Sequence, residues 1–397
     1  VDIEDVHIGR RVREIRTWRG MSLTATAGLA GISVSYLSMI ERGQRPVTKR
    51  SVLEALAKAL KVSPVELIGG PYETTSSTSN AANQTMAAVE DAVSGWWLGE
   101  VPEVPGRPWP QVRADVDLLT SKLRPNSDYS AQTALLPDLI RDLLVAATDP
   151  TTRQDALIGL MYAYHAASNV AKRLRFAGLP TLAVERMRRV AEELDDPVWC
   201  SFVSWARAHV LSGSNRPRQY QLAVAAADMP HARPETRGMA NLTAALASAA
   251  QGKADVAETH LSEAAAIAEL IEPDVSPWGH VQFGRTNVGI WRVAIGVELG
   301  QGAKVAEVAQ TVRPETITQS RAAAFWIDYG RGLLAERKTQ ERGLRALLQA
   351  EKLAPQQLRN NPFVREAVTN LLSAARRDAG GRELRGLAWR IGVAPSG

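Results

Sequence analysis

The stretch Gly31–Pro46, GISVSYLSMIERGQRP, reads as a glycine turn followed by a short helix shaped to lie in a DNA groove. Ser33 is an N-cap, since its hydroxyl can accept from the free amides of a first helical turn, and Gly43 suits the position just past a helix C-terminus. Between them Ile32, Leu37 and Ile40 fall on one side, while Val34, Ser35, Ser38 and Met39 fall on another. The first side belongs to a small core, and the second is the candidate for touching bases. Upstream, Ser22 can cap a segment running through Thr24, Ala25, Ala27 and Leu29 to Gly31, where a residue without a side chain lets two helices cross closely. That is helix-turn-helix spacing.

The charge is placed to match. The chain has 397 residues and a formal net charge of +5, of which residues 1–70 contribute +4 and everything after them +1. A polyanion-binding surface is therefore expected at the N-terminal end. Ile8, Val12 and Ile15 form the apolar stripe of a first helix whose Arg10, Arg13 and Arg16 can flank a phosphate backbone. Ser51–Leu60 reads as an amphipathic helix, and Ser63 with Pro64 opens a last short one ending at Ile68. Five helices then close one small core.

The segment Met21–Gly43, MSLTATAGLAGISVSYLSMIERG, resembles the DNA-binding domain of the Cro and phage-repressor class, the xenobiotic-response-element family, over about residues 8–68. Carried across, the resemblance puts Val34, Ser35 and Met39 toward bases with Ser38 beside them. It puts Arg45, Lys49 and Arg50 in the loop that lies along the phosphates, joined by Arg13 and Arg42. One position departs: members often carry Gln just after the serine that opens the second helix, and here it is Leu23, leaving Ser22 and Thr24 to take over the phosphate contact. None of the four base-facing residues can make the bidentate contact of Arg, Asn or Gln, so thymine methyls and DNA shape carry more of the expected specificity.

Beyond residue 68 the composition changes. Gly69–Gln84 has almost no large apolar residue and is rich in Ser, Thr and Asn, the composition of a flexible tether. Met86–Leu98 can form a helix ending in Trp96 and Trp97, which are expected to pack on the following domain. Glu100–Pro110 is too proline-rich for helix and reads as an extended strap. The expected domains are 1–68 (DNA binding), 69–108 (linker and strap) and 109–397 (helical repeats). In the last, Ala245, Gly252, Ala257, Leu261 and Ala264 match the small and large positions of a tetratricopeptide helix pair, and Gly343, Leu347, Ala350 and Pro355 repeat its second half after Gly330. Weaker versions lie around Ala171 with Ala183 and Met187, Ala206 with Leu222, and Val293 with Val305. The expected fold is all-α: a five-helix lambda-repressor-like domain followed by a tetratricopeptide-like α-solenoid.

Three further blocks, Trp278–Gly300, Leu353–Val368 and Glu383–Val393, resemble the C-terminal region of a large group of actinobacterial regulators with this kind of N-terminal domain. An Arg-over-Lys bias and abundant Ala point the same way, toward a GC-rich bacterial genome. The resemblance implies a cytoplasmic transcription factor; the basic N-terminal reader joined to a repeat domain leads to the expectation that it binds a double-stranded operator as a homodimer, with the solenoid dimerising and sensing. The lone Cys200 excludes an intrachain disulfide and reads as a buried, inert thiol. A signal-like N-terminal segment and a spanning-length apolar run are both missing from the sequence, so neither secretion nor membrane insertion is expected.

Signatures of catalysis are missing too: there is no Walker loop, HExxH, CxxC or GxSxG. His7, His165, His209, His231, His260 and His280 show no metal-ligand spacing, and neither a cofactor nor a metal nor an enzymatic activity is expected. A ligand site is expected instead on the concave face of the solenoid. Phe283, Asn287 and Trp291 recur every four residues with Arg285 nearby, and His165 with Asn169 and Trp205 with His209 show the same spacing on earlier helices. Side-chain amides there could pair with a peptide backbone while aromatics supply apolar contact. Two functions compete: a regulator whose solenoid senses a small molecule or peptide, and an adaptor or antitoxin-like partner whose DNA binding is secondary.

Overall fold

The computed structural model describes residues 7–69, 77–103, 105–211, 215–375 and 381–393. The lead-in over 1–6 and positions 70–76 of the expected tether lie outside them. Among the described residues the chain is all-α, its nearest approach to a sheet being an isolated bridge between Val275 and Gly284.

Five helices make the N-terminal domain: α1 (Ile8–Trp18), α2 (Leu23–Ala30), α3 (Val34–Glu41), α4 (Arg50–Ala59) and α5 (Pro64–Ile68). Their ends are set by local chemistry. Ser22 Oγ accepts from the Ala25 N–H at 3.1 Å, Ser33 Oγ from the Tyr36 N–H at 3.1 Å, and Ser63 with Glu66 forms a reciprocal capping box. Gly31 sits at φ +65°, the left-handed conformation that ends α2, and α3 leaves it at a bend of 108°. Ile8, Val12, Leu37, Ile40, Leu53, Leu56, Leu60 and Leu67 fill the core. Gly9 is required where α1 meets α3, because a Cβ there would fall 1.9 Å from the Ile40 carbonyl oxygen.

Sixteen further helices follow: α6 (Ser77–Gly95), α7 (Trp109–Leu118), α8 (Tyr129–Ala146), α9 (Arg153–Leu174), α10 (Leu179–Leu194), α11 (Pro197–Val210), α12 (Arg216–Ala227), α13 (Pro234–Ala249), α14 (Ala254–Ala268), α15 (Arg285–Leu299), α16 (Val305–Ala309), α17 (Gln319–Leu334), α18 (Gln340–Leu353), α19 (Pro355–Arg359), α20 (Pro362–Ala375) and α21 (Arg382–Arg390). Proline in the first turn opens α7, α10, α11, α12, α13 and α19, where its missing N–H costs nothing and its φ is already helical. Consecutive helices pair through small residues. Ala245 faces the α14 positions Ala257, Leu261 and Ala264, all buried, and Gly330 lets α17 come so near α18 that a Cβ on it would touch the Gly343 carbonyl.

Two expectations about the middle of the chain are corrected. The helical body begins with α6, which includes the helix expected from Met86 and starts nine residues earlier, inside the stretch read as tether: Ala82, Met86, Val89, Ala92 and Val93 are buried in the same core as α8, α9 and α10. Small residues disguised its first turns, since alanine buries a face without raising the apolar signal of the sequence. The proline-rich strap is tied down as well, Arg107 reaching Asp142 at 2.6 Å and Asp115 at 2.8 Å. Of the tryptophan pair, Trp96 packs on the core and Trp97 is 65% exposed beneath Arg186.

The solenoid also meets itself. Repeats of this kind normally touch only their neighbours. Here the Ser320 N–H donates to the Pro125 carbonyl at 2.7 Å, Ser127 Oγ donates to Gln357 Oε1 at 2.7 Å, and the Ser130 N–H donates to Gln356 Oε1 at 3.0 Å. The beginning and end of the helical body thereby close over a central cavity.

Candidate functional site

Two candidate surfaces emerge: the face of α3 expected to read bases, and a cavity inside the helical body. The reading face is open. Val34 is 42% exposed, Ser35 is exposed, and Ser38 and Met39 are half-buried on the same helix. Arg13, Ser22, Thr24, Arg42 and Arg45 are exposed around it. Leu23, standing where relatives often have Gln, packs against the domain core.

The other two expected phosphate contacts are corrected: Lys49 and Arg50 turn toward the helical body. The Arg50 N–H and guanidinium bind both oxygens of Glu298 on α15, at 2.9 and 2.6 Å, and Lys49 Nζ lies against Gly300 at the C-terminus of that helix. Arg331 on α17 joins Glu298 at 3.5 Å and donates to the Thr48 carbonyl. Arg216 grips Glu54 through two nitrogens, at 3.0 and 2.5 Å. Phe363 of α20, 6% exposed, completes the N-terminal core, with Arg50 and Arg331 stacked over its ring. Glu366 accepts from the Ile8 and Val47 N–H groups at 3.3 Å each. Burial alone would raise the Glu298 carboxyl, but Arg50 and Arg331 outweigh it and hold the group below the usual carboxylate range. Arg16, another expected phosphate contact, instead closes a buried pair with Glu41 at 2.6 and 2.8 Å within the domain.

The cavity, about 160 Å³, is walled by the turn Arg124–Gln132, by α9, α11 and α13, by the loop His280–Gln282 and by the starts of α15, α17 and α19. His165, Asn169, Trp205, His209 and Trp291, all singled out from spacing, line it together. Two expected members do not. Arg285 points to the outer surface, where it meets Glu272 and Asp274 at 3.2 Å each. Asn287 lies fully buried behind the wall, its Oδ1 accepting from Arg321 Nε at 2.9 Å, so it aims a pocket residue without being one. Phe283 precedes α15 and fills the notch left by Gly238.

The residues missed are the cations. Arg124 follows a π-helical turn, Leu119–Leu123, and its Nη2 lies 3.1 Å from His165 Nδ1. Arg321 lies 5.8 Å from the Trp291 ring centroid, and Arg173 is exposed at the rim. Among the described residues no Asp or Glu lines the cavity. The electrostatic cost is visible: burial lowers both Arg124 and Arg321 to about 10 and His280 to about 4, and it holds His165 and His209 well below the ordinary histidine value. Beside the cavity, burial and nearby arginines bring Lys172 down to about 7, with its ammonium donating to the His209 carbonyl. Three of the six histidines, scattered in sequence, thus converge here. Spacing along one helix could not reveal Arg124 or Arg321, whose neighbours come from other helices. Among the described residues no group of three His, Cys, Asp or Glu side chains could hold a metal.

Comparison with known proteins bears on the first surface. Residues 7–67 match a family described as a helix-turn-helix domain. Over 67 residues, 17% of the chain, the protein is 37% identical to the HTH-type transcriptional regulator SinR of Bacillus subtilis, of which it covers 60%. Over 60 residues, 15% of the chain, it is 35% identical to the HTH-type transcriptional regulator y4wC of Sinorhizobium fredii, of which it covers 41%. The chain thus spans 41–60% of the length of these curated relatives. Solved structures with some similarity are the apo form of ComR from S. thermophilus (TM-score 0.20, 13% identity, 86% of this chain and 98% of that one) and that of the competence regulator ComR from Streptococcus vestibularis (TM-score 0.18, 15% identity, 86% and 97%). Scores at that level carry no argument about this chain. The matched segment coincides with α1–α5 and their caps, and residues 7–67 are a helix-turn-helix domain set on an all-α, repeat-like helical body.

Proposed function

We propose that the protein is a sequence-specific DNA-binding regulator of transcription, without a catalytic centre, whose helical body holds an effector in the central cavity and passes its presence to the DNA-binding domain. One observation carries this reading: the same two helices serve both sites. α15 places Trp291 in the cavity wall and Glu298 in the ion pair with Arg50, about 10 Å further along the helix at 1.5 Å per residue. α17 places Arg321 in the wall and Arg331 at the Thr48 carbonyl, about 15 Å along. A rigid helix that shifts when the cavity fills moves its other end too, and packed interfaces respond by discrete rearrangement.

The operator is double-stranded DNA, read by a homodimer with half-sites about one helical turn apart. Linking two weakly specific domains raises the effective concentration of the second at its half-site. Selection of genomic fragments by the full-length protein tests the reading. The expected outcome is a two-fold symmetric sequence whose binding weakens steeply with salt, with Asn287→Ala altering the effector response while operator binding survives. A full-length protein that enriches no DNA, or whose binding is indifferent to salt, favours the protein-adaptor function instead.

A further inference from the structure

Among the described residues, two buried donors in the cavity wall find no acceptor: Arg124 Nη1 and Trp291 Nε1. Neither group can accept, so whatever satisfies them must bring lone pairs. The partner that Arg124 does have, His165 Nδ1, must itself be accepting, because a guanidinium only donates; His165 is therefore neutral and cannot balance the charge. Arg321 is balanced no better. It meets a side-chain amide, Asn287, and an aromatic face, Trp291. Four arginines at the seam and in the N-terminal core are provided for: Arg16 has Glu41, Arg50 and Arg331 have Glu298, and Arg216 has Glu54. Arg124 and Arg321 instead share a cavity in which no described lining residue is a carboxylate.

The space is suitable for an organic group. At 160 Å³ it is about ten times what one water requires, which is roughly 10–15 Å³. Trp205 and Trp291 form apolar wall on the side where Arg321 lies.

We infer that the cavity binds the carboxylate of an organic anion, received by the Arg124 and Arg321 guanidiniums with its apolar body against Trp205 and Trp291. The inference rests on the effector reading above and names the chemistry of the effector. A free aromatic carboxylic acid and the C-terminal carboxylate of a short peptide present the same group, and the experiment separates them.

The test uses the full-length protein with benzoate, its neutral counterpart benzamide, the tetrapeptide Gly-Ala-Ala-Phe with a free or an amidated C-terminus, and sodium sulfate at matched ionic strength. Tryptophan fluorescence and thermal melting are the readouts. At least one free carboxylate should bind saturably and raise Tm, its amide at least roughly tenfold more weakly, and Arg124→Gln and Arg321→Gln should each weaken it by roughly tenfold or more. Without ligand, Arg124→Gln should raise Tm, since it removes an uncompensated charge while keeping a donor for His165. Equal binding of acid and amide, sulfate reproducing the effect, no response to any carboxylate at millimolar concentration, or a lowered Tm in unliganded Arg124→Gln overturns the inference. If a carboxylate binds as described but operator binding never responds to it, the chemistry stands and the regulatory reading fails. If a neutral compound shifts operator binding, the converse holds.

Discussion

Two sets of arginines on the same helical body are treated in opposite ways. At the seam with the DNA-binding domain, Arg50 and Arg331 converge on Glu298, and Arg216 closes on Glu54 with three hydrogen bonds. In the cavity Arg124 and Arg321 are offered a neutral histidine and an amide. The difference teaches where the molecule is finished and where it is waiting. Paired buried charges fix one geometry, because any displacement leaves a desolvated ion alone. Unpaired ones carry a desolvation cost that the anion proposed above would relieve.

The largest expected effect breaks the seam. Glu298→Gln removes the one carboxylate in ion-pair contact with Arg50 among the described residues and leaves Arg331 with Asp328, and removing one member of a buried pair costs about 3–5 kcal/mol. Chemical denaturation should then show the N-terminal domain melting apart from the helical body, where the wild type melts as a unit. A single transition with an unchanged midpoint would show that the seam does not depend on this pair.

The pH dependence of stability should separate the two regions. His165 and His209 titrate far below 6.5 in the folded chain because of burial and then neighbouring cations, so the unfolded chain takes up protons first. Stability is therefore full above about 6.5 and falls as pH drops below it, by up to about 1.4 kcal/mol per pH unit for each histidine. Glu298, held below its usual 4.5, loses its contribution only as pH falls below that value. Melting curves from pH 7.5 to 3.5 should show the cavity failing first and the seam later. A bound carboxylate should flatten the upper branch. Stability that stays constant between pH 7 and 5 contradicts the assignment of neutral histidines.

The smallest effect concerns two arginines between the end of α3 and the start of α4. Arg45, exposed beside the reading face, should contribute one phosphate contact, so Arg45→Ala should lower the slope of log affinity against log salt by about 1 per domain and weaken all sequences alike. Arg50→Ala should leave that slope unchanged and instead loosen the docking of the domain. Equal slopes for the two variants would show that Arg50 leaves Glu298 when DNA arrives.

Local chemistry was readable in advance because it is local. The caps Ser22, Ser33 and Ser63, the turn at Gly31 and the apolar positions of α1–α5 each depend on neighbours within a few residues, and each stands where the pattern placed it. Five cavity residues were legible for a related reason. An i, i+4 spacing puts His165 with Asn169 and Trp205 with His209 on one helical face, and the concave side of a curved repeat body collects such faces. The first turns of α6 escaped notice because the small and polar residues of 77–84 leave a weak hydrophobic pattern, and Asn287 and Arg285 were misplaced because a face is only a range of directions.

What the sequence alone determined is the all-α class, the five helices of the N-terminal domain with their caps, and the helix-turn-helix within it. Tertiary structure alone decided which charges meet. Arg50 and Glu298 are 248 residues apart, Val47 and Glu366 are 319 apart, and Arg124 reaches His165 across 41. A guanidinium in a sequence carries no mark of whether its carboxylate will be brought to it, because ion pairing acts over a few ångströms of space and is indifferent to distance along the chain. Only the folded molecule shows that Arg50 is answered and Arg124 is not.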